Sequence, residues 1–438
     1  MPTPLTATRS GNLSGRLSVP GDKSISHRAL IFGGLATGTT RIRGLLEGED
    51  VINTARVMTA LGSTASKVGE DWEIKGVGVG GLSQPAGDLD FGNSGTGARL
   101  MLGVVAGHEM RARFVGDASL SRRPMGRVIR PLRQMGLAIE DDRETLPMTV
   151  VGSKDLVPIE YRLPVPSAQV KSAILIAGLH AAGRTSVIEP EATRDHTERM
   201  LRYFGAEVTV DRHADGSIIH VAGDGELSGR DVVVPADPSS AAFLAAAAAI
   251  TSGSDVTITG VLVNPTRIGF YLTLQQMGAE LTFENEREEG GEPIADIRVA
   301  SSRLKGVSVP AERAPTMIDE YPILAVVAAF ADGDTVMQGL GELKVKESDR
   351  LTATAEGLQA NGVGARVDGD TLTVSGAKSV AGGGRVTTHL DHRIAMAFLV
   401  LGLATERPVT IDDGDVIATS FPEFAQLMAQ IGAQIGPA

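Results

Sequence analysis

Apolar and polar positions repeat along this chain in one order, six times over. A copy opens with a short apolar strand, as over 16–19 and 232–234, which runs into a polar turn. A helix of small apolar residues follows, over 26–35, 172–179 and 241–250 in three of the copies. A β-rich run comes next, at 39–43, 184–188, 254–258 and 334–337. Then comes an amphipathic helix such as 197–204, with apolar residues three and four apart, and a closing strand such as 207–210 or 280–283. The second helix of each copy ends in a glycine turn, at Gly62, Gly136, Gly205, Gly278, Gly362 and Gly432, roughly 70 to 84 residues apart. The pattern predicts an α/β chain of six β-α-β-α-β-type units with some extra strand. The glycine stretches at 76–81, 290–291 and 382–384 read as hairpin turns, and none opens a helix as a dinucleotide loop must.

The polar turns carry the chemistry. They read Pro20-Gly-Asp-Lys-Ser-Ile-Ser-His-Arg28, Phe91-Gly-Asn-Ser-Gly-Thr-Gly-Ala-Arg99, Pro166-Ser-Ala-Gln-Val-Lys-Ser172, Pro235-Ala-Asp-Pro-Ser-Ser240, Met317-Ile-Asp-Glu-Tyr321 and Leu390-Asp-His-Arg393. A helix start presents unpaired N–H groups and a positive dipole end, so six such loops are six ready anion sites. Lys23 and Arg28 are fit to hold phosphate or carboxylate, against the plainer role of a capped helix with a solvated lysine. The glycines of 93–97 let an anion approach the backbone. Of the basic run Arg122, Arg123, Arg127, Arg130 and Arg133, most form a solvated helix face, and Arg123 beside Pro124 is the ligand candidate. Ser167, Ala168 and Gln169 suit oxygen contacts or a simple cap. Arg194 and Asp195 precede a helix that Asp195 could cap. Asp319 and Glu320 enter a fully apolar helix, and Lys346-Glu-Ser-Asp-Arg350 mixes both charges in one turn. His389 and His392 lack a spaced third ligand, so no metal site is expected. Equivalent loops with different chemistry favour two compact triplets converging on one cleft over a linear solenoid. The set fits a reaction between anionic substrates by charge stabilisation and general acid–base steps.

Composition narrows this further. A chain of 438 residues with 42% hydrophobic and 21% charged residues has ample material for two or three domain cores. The net charge of −12 argues against nonspecific nucleic-acid binding, and the absence of cysteine removes disulfides, thiolate metal sites and cysteine nucleophiles. No Gly-x4-Gly-Lys-Ser/Thr loop supports a nucleotide. The N-terminus lacks a signal-like apolar core and no apolar run approaches a membrane span, so a cytoplasmic protein with no membrane partner is expected.

Seven motifs, in order from about residue 12 onward, resemble those of the 5-enolpyruvylshikimate-3-phosphate synthase family, in its divergent bacterial subgroup. They are 21–28, 92–99, Arg123-Pro-Met-Gly126, Ser167-Ala-Gln-Val-Lys171, Ile318-Asp-Glu-Tyr-Pro322, Lys346–Arg350 and Asp391-His-Arg-Ile-Ala395. The resemblance implies transfer of a carboxyvinyl group from phosphoenolpyruvate to the 5-hydroxyl of shikimate 3-phosphate, with release of phosphate, in aromatic amino-acid and chorismate biosynthesis. It implies Lys23, Ser24, Arg28, Ser167, Ala168, Gln169, Arg194, Asp319 and Lys346 at shikimate 3-phosphate. It implies Lys23, Gly95, Arg123, Gln169, Arg350 and Arg393 at phosphoenolpyruvate. Asp319 is then the base on the 5-hydroxyl, and Glu347 or Lys23 the proton donor to the methylene carbon. The implied fold is a two-domain inside-out α/β barrel of three units per domain: 21–235, on the shikimate 3-phosphate side, and 1–20 with 236–438, completing the phosphoenolpyruvate site. The implied enzyme closes on its substrates and needs no cofactor; a monomer is expected, since the cleft needs no second subunit.

Two departures stand out. Ala168 replaces the second serine of a Ser-Ser-Gln loop, and Thr419-Ser-Phe-Pro422 stands where many members have Lys-Thr-Phe-Pro. Both bear on affinity for substrates and for the phosphonate inhibitor glyphosate, whose usual space Gly95 leaves open. Two rivals remain. The sister transferase acting on UDP-N-acetylglucosamine usually carries a loop cysteine, absent here; a silent anion-binding protein would keep the arginines and lose Asp319 and Glu347.

Overall fold

The computed structural model describes residues 2–438. Each repeat is β-α-β-α-β-β, and its sheet runs in the order first, second, fourth, third strand. In the third repeat, Glu160–Arg162 lies parallel to Arg184–Glu189, which pairs antiparallel with Gly216–Ala222, itself antiparallel to Val208–His213. The parallel step needs a long crossover and receives helix Ala168–Gly178, whereas the antiparallel pair closes through a tight hairpin. The extra strand expected from sequence is therefore the fourth, the middle partner of the hairpin.

Four strands complete sheets remote in sequence. Leu5–Thr8 lies between Val409–Ile411 and Gln434–Pro437, and Ser14–Leu17 runs parallel to Asp255–Leu262. Leu227–Ser228 and Asp231–Val233 together edge the sheet of Ala36–Arg43. The chain divides into two compact units, one of 21–235 with 288–292, the other of 1–20, 236–287 and 293–438. The boundary drawn from sequence puts 288–292 with the C-terminal residues. These five form the end of the hairpin Glu280–Glu289 to Glu292–Ala300, and they group with 21–235 instead.

Within each unit the first helix of every repeat is core. Pro238–Ile250 buries twelve of its 13 residues, which its all-apolar circumference requires. Lys23–Leu35 and His392–Gly402 are similarly buried along their length. The sheets cover these helices, and their hairpin edges, Thr64–Val68 and Gly364–Asp368, face water. Small residues bring the inner helices close: a Cβ on Gly103 would lie 2.4 Å from the Ala173 carbonyl oxygen. All six turn glycines have φ between 82° and 125°. Of the three glycine stretches, only 290–291 turns a hairpin. Gly78–Gly81 folds back after strand Asp71–Val77, and 382–384 leads into Arg385–Val386, a parallel edge strand.

Candidate active site

In the unit containing 21–235, Asp22 caps helix Lys23–Leu35 by accepting from the Ile25 N–H (2.8 Å). Lys23 pairs with Asp50 and stays partly exposed. Arg28, one turn in, is buried, and its fork meets only neutral oxygens. Nε donates to Thr197 Oγ1 (2.8 Å), Nη2 to Ser172 Oγ (2.9 Å) and Nη1 to the Ser24 carbonyl (2.9 Å). Burial pulls the guanidinium down to about 10, partly offset by Glu198 and Asp22. Thr197 belongs to helix His196–Phe204, so Arg28 is tied to the helix that follows Arg194.

Ser94 caps helix Gly95–Ala106 through the Gly97 N–H (3.1 Å), and the Gly95 N–H turns back on the Asn93 carbonyl (3.0 Å). Arg123 donates to Asn93 Oδ1 (2.9 Å) and Ser119 Oγ (3.3 Å). Arg99 joins three of the predicted loops, donating to the Gly95 carbonyl (3.4 Å), Gln169 Oε1 (3.1 Å) and the Pro124 carbonyl (3.2 Å). The other end of Gln169, Nε2, donates to Thr96 Oγ1 (3.0 Å), which fixes the amide's orientation. Burial and the neighbouring Arg123 and Arg127 lower Arg99 to about 10. Ser167 caps helix Ala168–Gly178 by accepting from Val170 N (3.4 Å). Arg130 and Arg133 pair with Glu144 and Asp142 at the surface, the solvated face that the basic run predicts.

The other unit gathers five more residues. The Arg350 guanidinium is buried and meets three carboxylates: Nε donates to Asp391 Oδ2 (2.7 Å), Nη1 to Asp319 Oδ1 (3.2 Å) and Nη2 to Glu347 Oε2 (2.6 Å). Lys346 Nζ lies 3.3 Å from the same Asp319 oxygen, and Arg393 Nη1 donates to the Asp319 carbonyl (3.3 Å). Asp391 caps helix His392–Gly402 through the Arg393 N–H (2.9 Å) and accepts from Ser348 Oγ (3.0 Å). Burial drives the Glu347 carboxyl up, but the Arg350 guanidinium outweighs it and holds it well below the usual carboxylate range. Burial likewise opposes the Arg350 charge, and Glu347, Asp391 and Asp319 more than restore it. His392, lowered to about 3 by burial and Arg393, is neutral, and its Nδ1 lies 3.4 Å from Thr419 Oγ1. Among the described residues no group of three or more His, Cys, Asp or Glu could hold a metal. No helix among them is long and apolar enough to cross a membrane.

The predicted residues thus fall into ordered clusters within each unit, at helix starts. Motif reading assigned no role to Arg99 or Asp391. Arg99 follows Gly95 by four residues, one helical turn, and that spacing was the available signal. Asp391 looks like a plain cap; its second bond, to Arg350, joins groups 41 residues apart.

Six β-α-β-α-β-β repeats, with cations and acids gathered at several helix starts, make an α/β protein equipped to hold small anions. The family description that matches residues 7–428 is EPSP synthase (3-phosphoshikimate 1-carboxyvinyltransferase), and the chain belongs to that family. A 3-phosphoshikimate 1-carboxyvinyltransferase of a Pseudomonas species is 59% identical over 99% of this chain and 98% of its own. The Brucella canis protein of the same name is 58% identical, over 99% and 97%. The solved EPSP synthase of Acinetobacter baumannii superposes with a TM-score of 0.91 at 45% identity, covering both chains fully.

Proposed function

We propose that this chain transfers the carboxyvinyl group of phosphoenolpyruvate to the 5-hydroxyl of shikimate 3-phosphate, giving 5-enolpyruvylshikimate 3-phosphate and phosphate. The observation that supports it most is the cluster in which Asp319 lies between Lys346 and Arg350, with Glu347 on the same guanidinium. Asp319 takes the 5-hydroxyl proton as that oxygen bonds to the central carbon of phosphoenolpyruvate. Glu347 or Lys23 protonates the methylene carbon, giving a tetrahedral adduct with a methyl group. Cleavage of the C–O bond to phosphate and return of a methyl proton to the protein restore the double bond. The cations stabilise the charges that shift during both steps.

Arg28 commits three of its five donors to neutral acceptors, so two remain for an incoming oxyanion. With Lys23, Ser24, Ser167, Ala168, Gln169, Arg194, Asp319 and Lys346 it binds shikimate 3-phosphate. Lys23, Gly95, Arg123, Gln169, Arg350 and Arg393 bind phosphoenolpyruvate. Residues 21–235 supply most of the first set, while 1–20 with 236–438 supply Asp319, Lys346, Glu347, Arg350 and Arg393. Every group in the two proposed sets lies on one chain, so the reaction calls for no second subunit. The test is phosphate release from phosphoenolpyruvate with either shikimate 3-phosphate or UDP-N-acetylglucosamine as acceptor. Release with shikimate 3-phosphate alone is expected; release only with the sugar nucleotide, or with neither, overturns the reading.

A further inference from the structure

The buried ionic cluster around Lys171 has no part in the reaction as described. The Lys171 side chain has 0% of its surface exposed, and those of Glu189 and Glu198 only 5% and 3%. Its ammonium lies 2.7 Å from Glu198 Oε1 and 3.0 Å from Glu189 Oε1. Burial pushes the ammonium down, and the two carboxylates outweigh it and hold it above its ordinary value. A cluster so deeply desolvated is a poor source of stability, since well-packed apolar residues commonly do as well.

Its connections are informative. Lys171 is in the first turn of helix Ala168–Gly178, two residues past Gln169. Glu198 is the third residue of helix His196–Phe204, a position from which a glutamate commonly reaches back to its own helix cap. Here it turns to Lys171 instead. Glu189 ends strand Arg184–Glu189, and its Oε1 accepts from both the N–H (3.0 Å) and the hydroxyl of Thr193. Thr193 immediately precedes Arg194. Beside this cluster Ser172 and Thr197 share a hydrogen bond (2.7 Å) and both accept from Arg28.

We infer that Lys171, Glu189 and Glu198 are positioning residues for shikimate 3-phosphate binding, and that Thr193 is the link through which they set the Arg194 loop against the 167–169 helix start. The inference rests on the substrate reading above. The cluster ties two helix starts and one loop to a single buried ammonium, so the groups presented at their ends keep one spacing before substrate arrives. Preorganisation of this kind acts on binding of the substrate those loops hold and leaves the chemical step alone.

Thr193→Val removes the hydroxyl link and leaves the Lys171 ion pairs whole. The expected result is an affinity for shikimate 3-phosphate about five- to tenfold weaker, the scale of one lost hydrogen bond, by calorimetric titration of the phosphoenolpyruvate-free protein. The KM for phosphoenolpyruvate and kcat should stay at wild-type values, the melting temperature should fall by no more than a few degrees, as one lost hydrogen bond allows, and Thr193→Ser should restore the affinity. Lys171→Met should weaken the same affinity further, but it leaves two buried carboxylates unpaired, so Thr193→Val decides. Unchanged affinity in Thr193→Val, or a loss matched by an equal fall in kcat, overturns the inference. Arg194→Gln in the same titration separates the two levels. If it weakens binding while Thr193→Val does not, only the positioning role falls. If it too binds normally, the assignment of Arg194 to the substrate falls, and the positioning role with it.

Discussion

Arg350 and Glu347 pose the sharpest question at the scale of single residues. With its guanidinium 2.6 Å away, Glu347 is a carboxylate at neutral pH, which is the wrong form for a proton donor. An anion arriving at Arg350 weakens that hold and raises the Glu347 proton affinity only when phosphoenolpyruvate is present. Glu347→Gln should therefore lower turnover at least about a hundredfold, the ordinary scale of a lost proton-transfer group. Its affinity for shikimate 3-phosphate should not move, and steady-state kinetics with calorimetric titration checks both. Turnover near wild type would transfer the donor role to Lys23. Gly95 gives a second case. A Cβ there lies 2.9 Å from Arg99 Nη1 and 3.3 Å from Arg123 Nη1, so Gly95→Ala displaces the Arg99 fork and with it the Gln169 amide. The KM for phosphoenolpyruvate should rise about tenfold with kcat changed far less, which initial rates at saturating shikimate 3-phosphate will show. Asp319, Lys346 and Gly95 were legible in the sequence because their motifs are local. Asp391 and Lys171 were not, because their partners lie 41 and 18 or more residues away and a buried ion pair leaves no periodic trace.

Elements were legible where period and punctuation agree. The inner helices show as runs of small apolar residues, and burial on every side explains why they lack an amphipathic stripe. Helix starts appear three to four residues earlier than the apolar runs, because caps such as Asp22, Ser167 and Asp237 extend the helix into the polar loop. The fourth strand was blurred, since the edge strand and the interior strand it turns into read together as one β-rich stretch. The glycine turns were the firmest marks, and they carry a measurable cost. Gly205 ends helix His196–Phe204 at φ 104°, and a Cβ there meets nothing nearer than 4.0 Å. Gly205→Ala thus tests conformation alone and should cost about 1 to 2 kcal/mol. Denaturant midpoints should fall accordingly, with kcat and both KM values unchanged. A loss of activity at undiminished stability would mean that the turn does more than end a helix.

For the molecule as a whole, the repeats bury histidines in both units, and these set the response to acid. His27 and His180, in the unit of 21–235, and His392, in the other, are each lowered to about 3, with burial the leading cause; Lys23, His108 and Arg393 respectively reinforce it. A folded protein that holds these rings neutral takes up no proton on them below pH 6.5, while the unfolded chain does. Stability therefore falls as pH falls through 6.5 and keeps falling toward 3. Each ring contributes a loss of about 1 kcal/mol between pH 6.5 and 5.5, so the first unit, where burial also lowers His108, should lose about 2 to 3 kcal/mol and the second about 1. Of the carboxylates held low, Asp296, Glu347 and Asp391 lie in the second unit and the exposed Glu140 in the first, and all act later, as pH drops below their unfolded values near 4. The single tryptophan, Trp72, lies in strand Asp71–Val77 of the first unit, so its emission reports that unit while far-ultraviolet dichroism reports both. Urea titrations at pH 7.5, 6.5 and 5.5 should show the Trp72 midpoint moving down ahead of the dichroism midpoint. His180→Gln should flatten the Trp72 trend by about a third to a half, since one of the unit's acid-sensitive rings no longer titrates. A Trp72 midpoint that stays constant from pH 6.5 to 5.5 would show that these rings are not neutral in the fold.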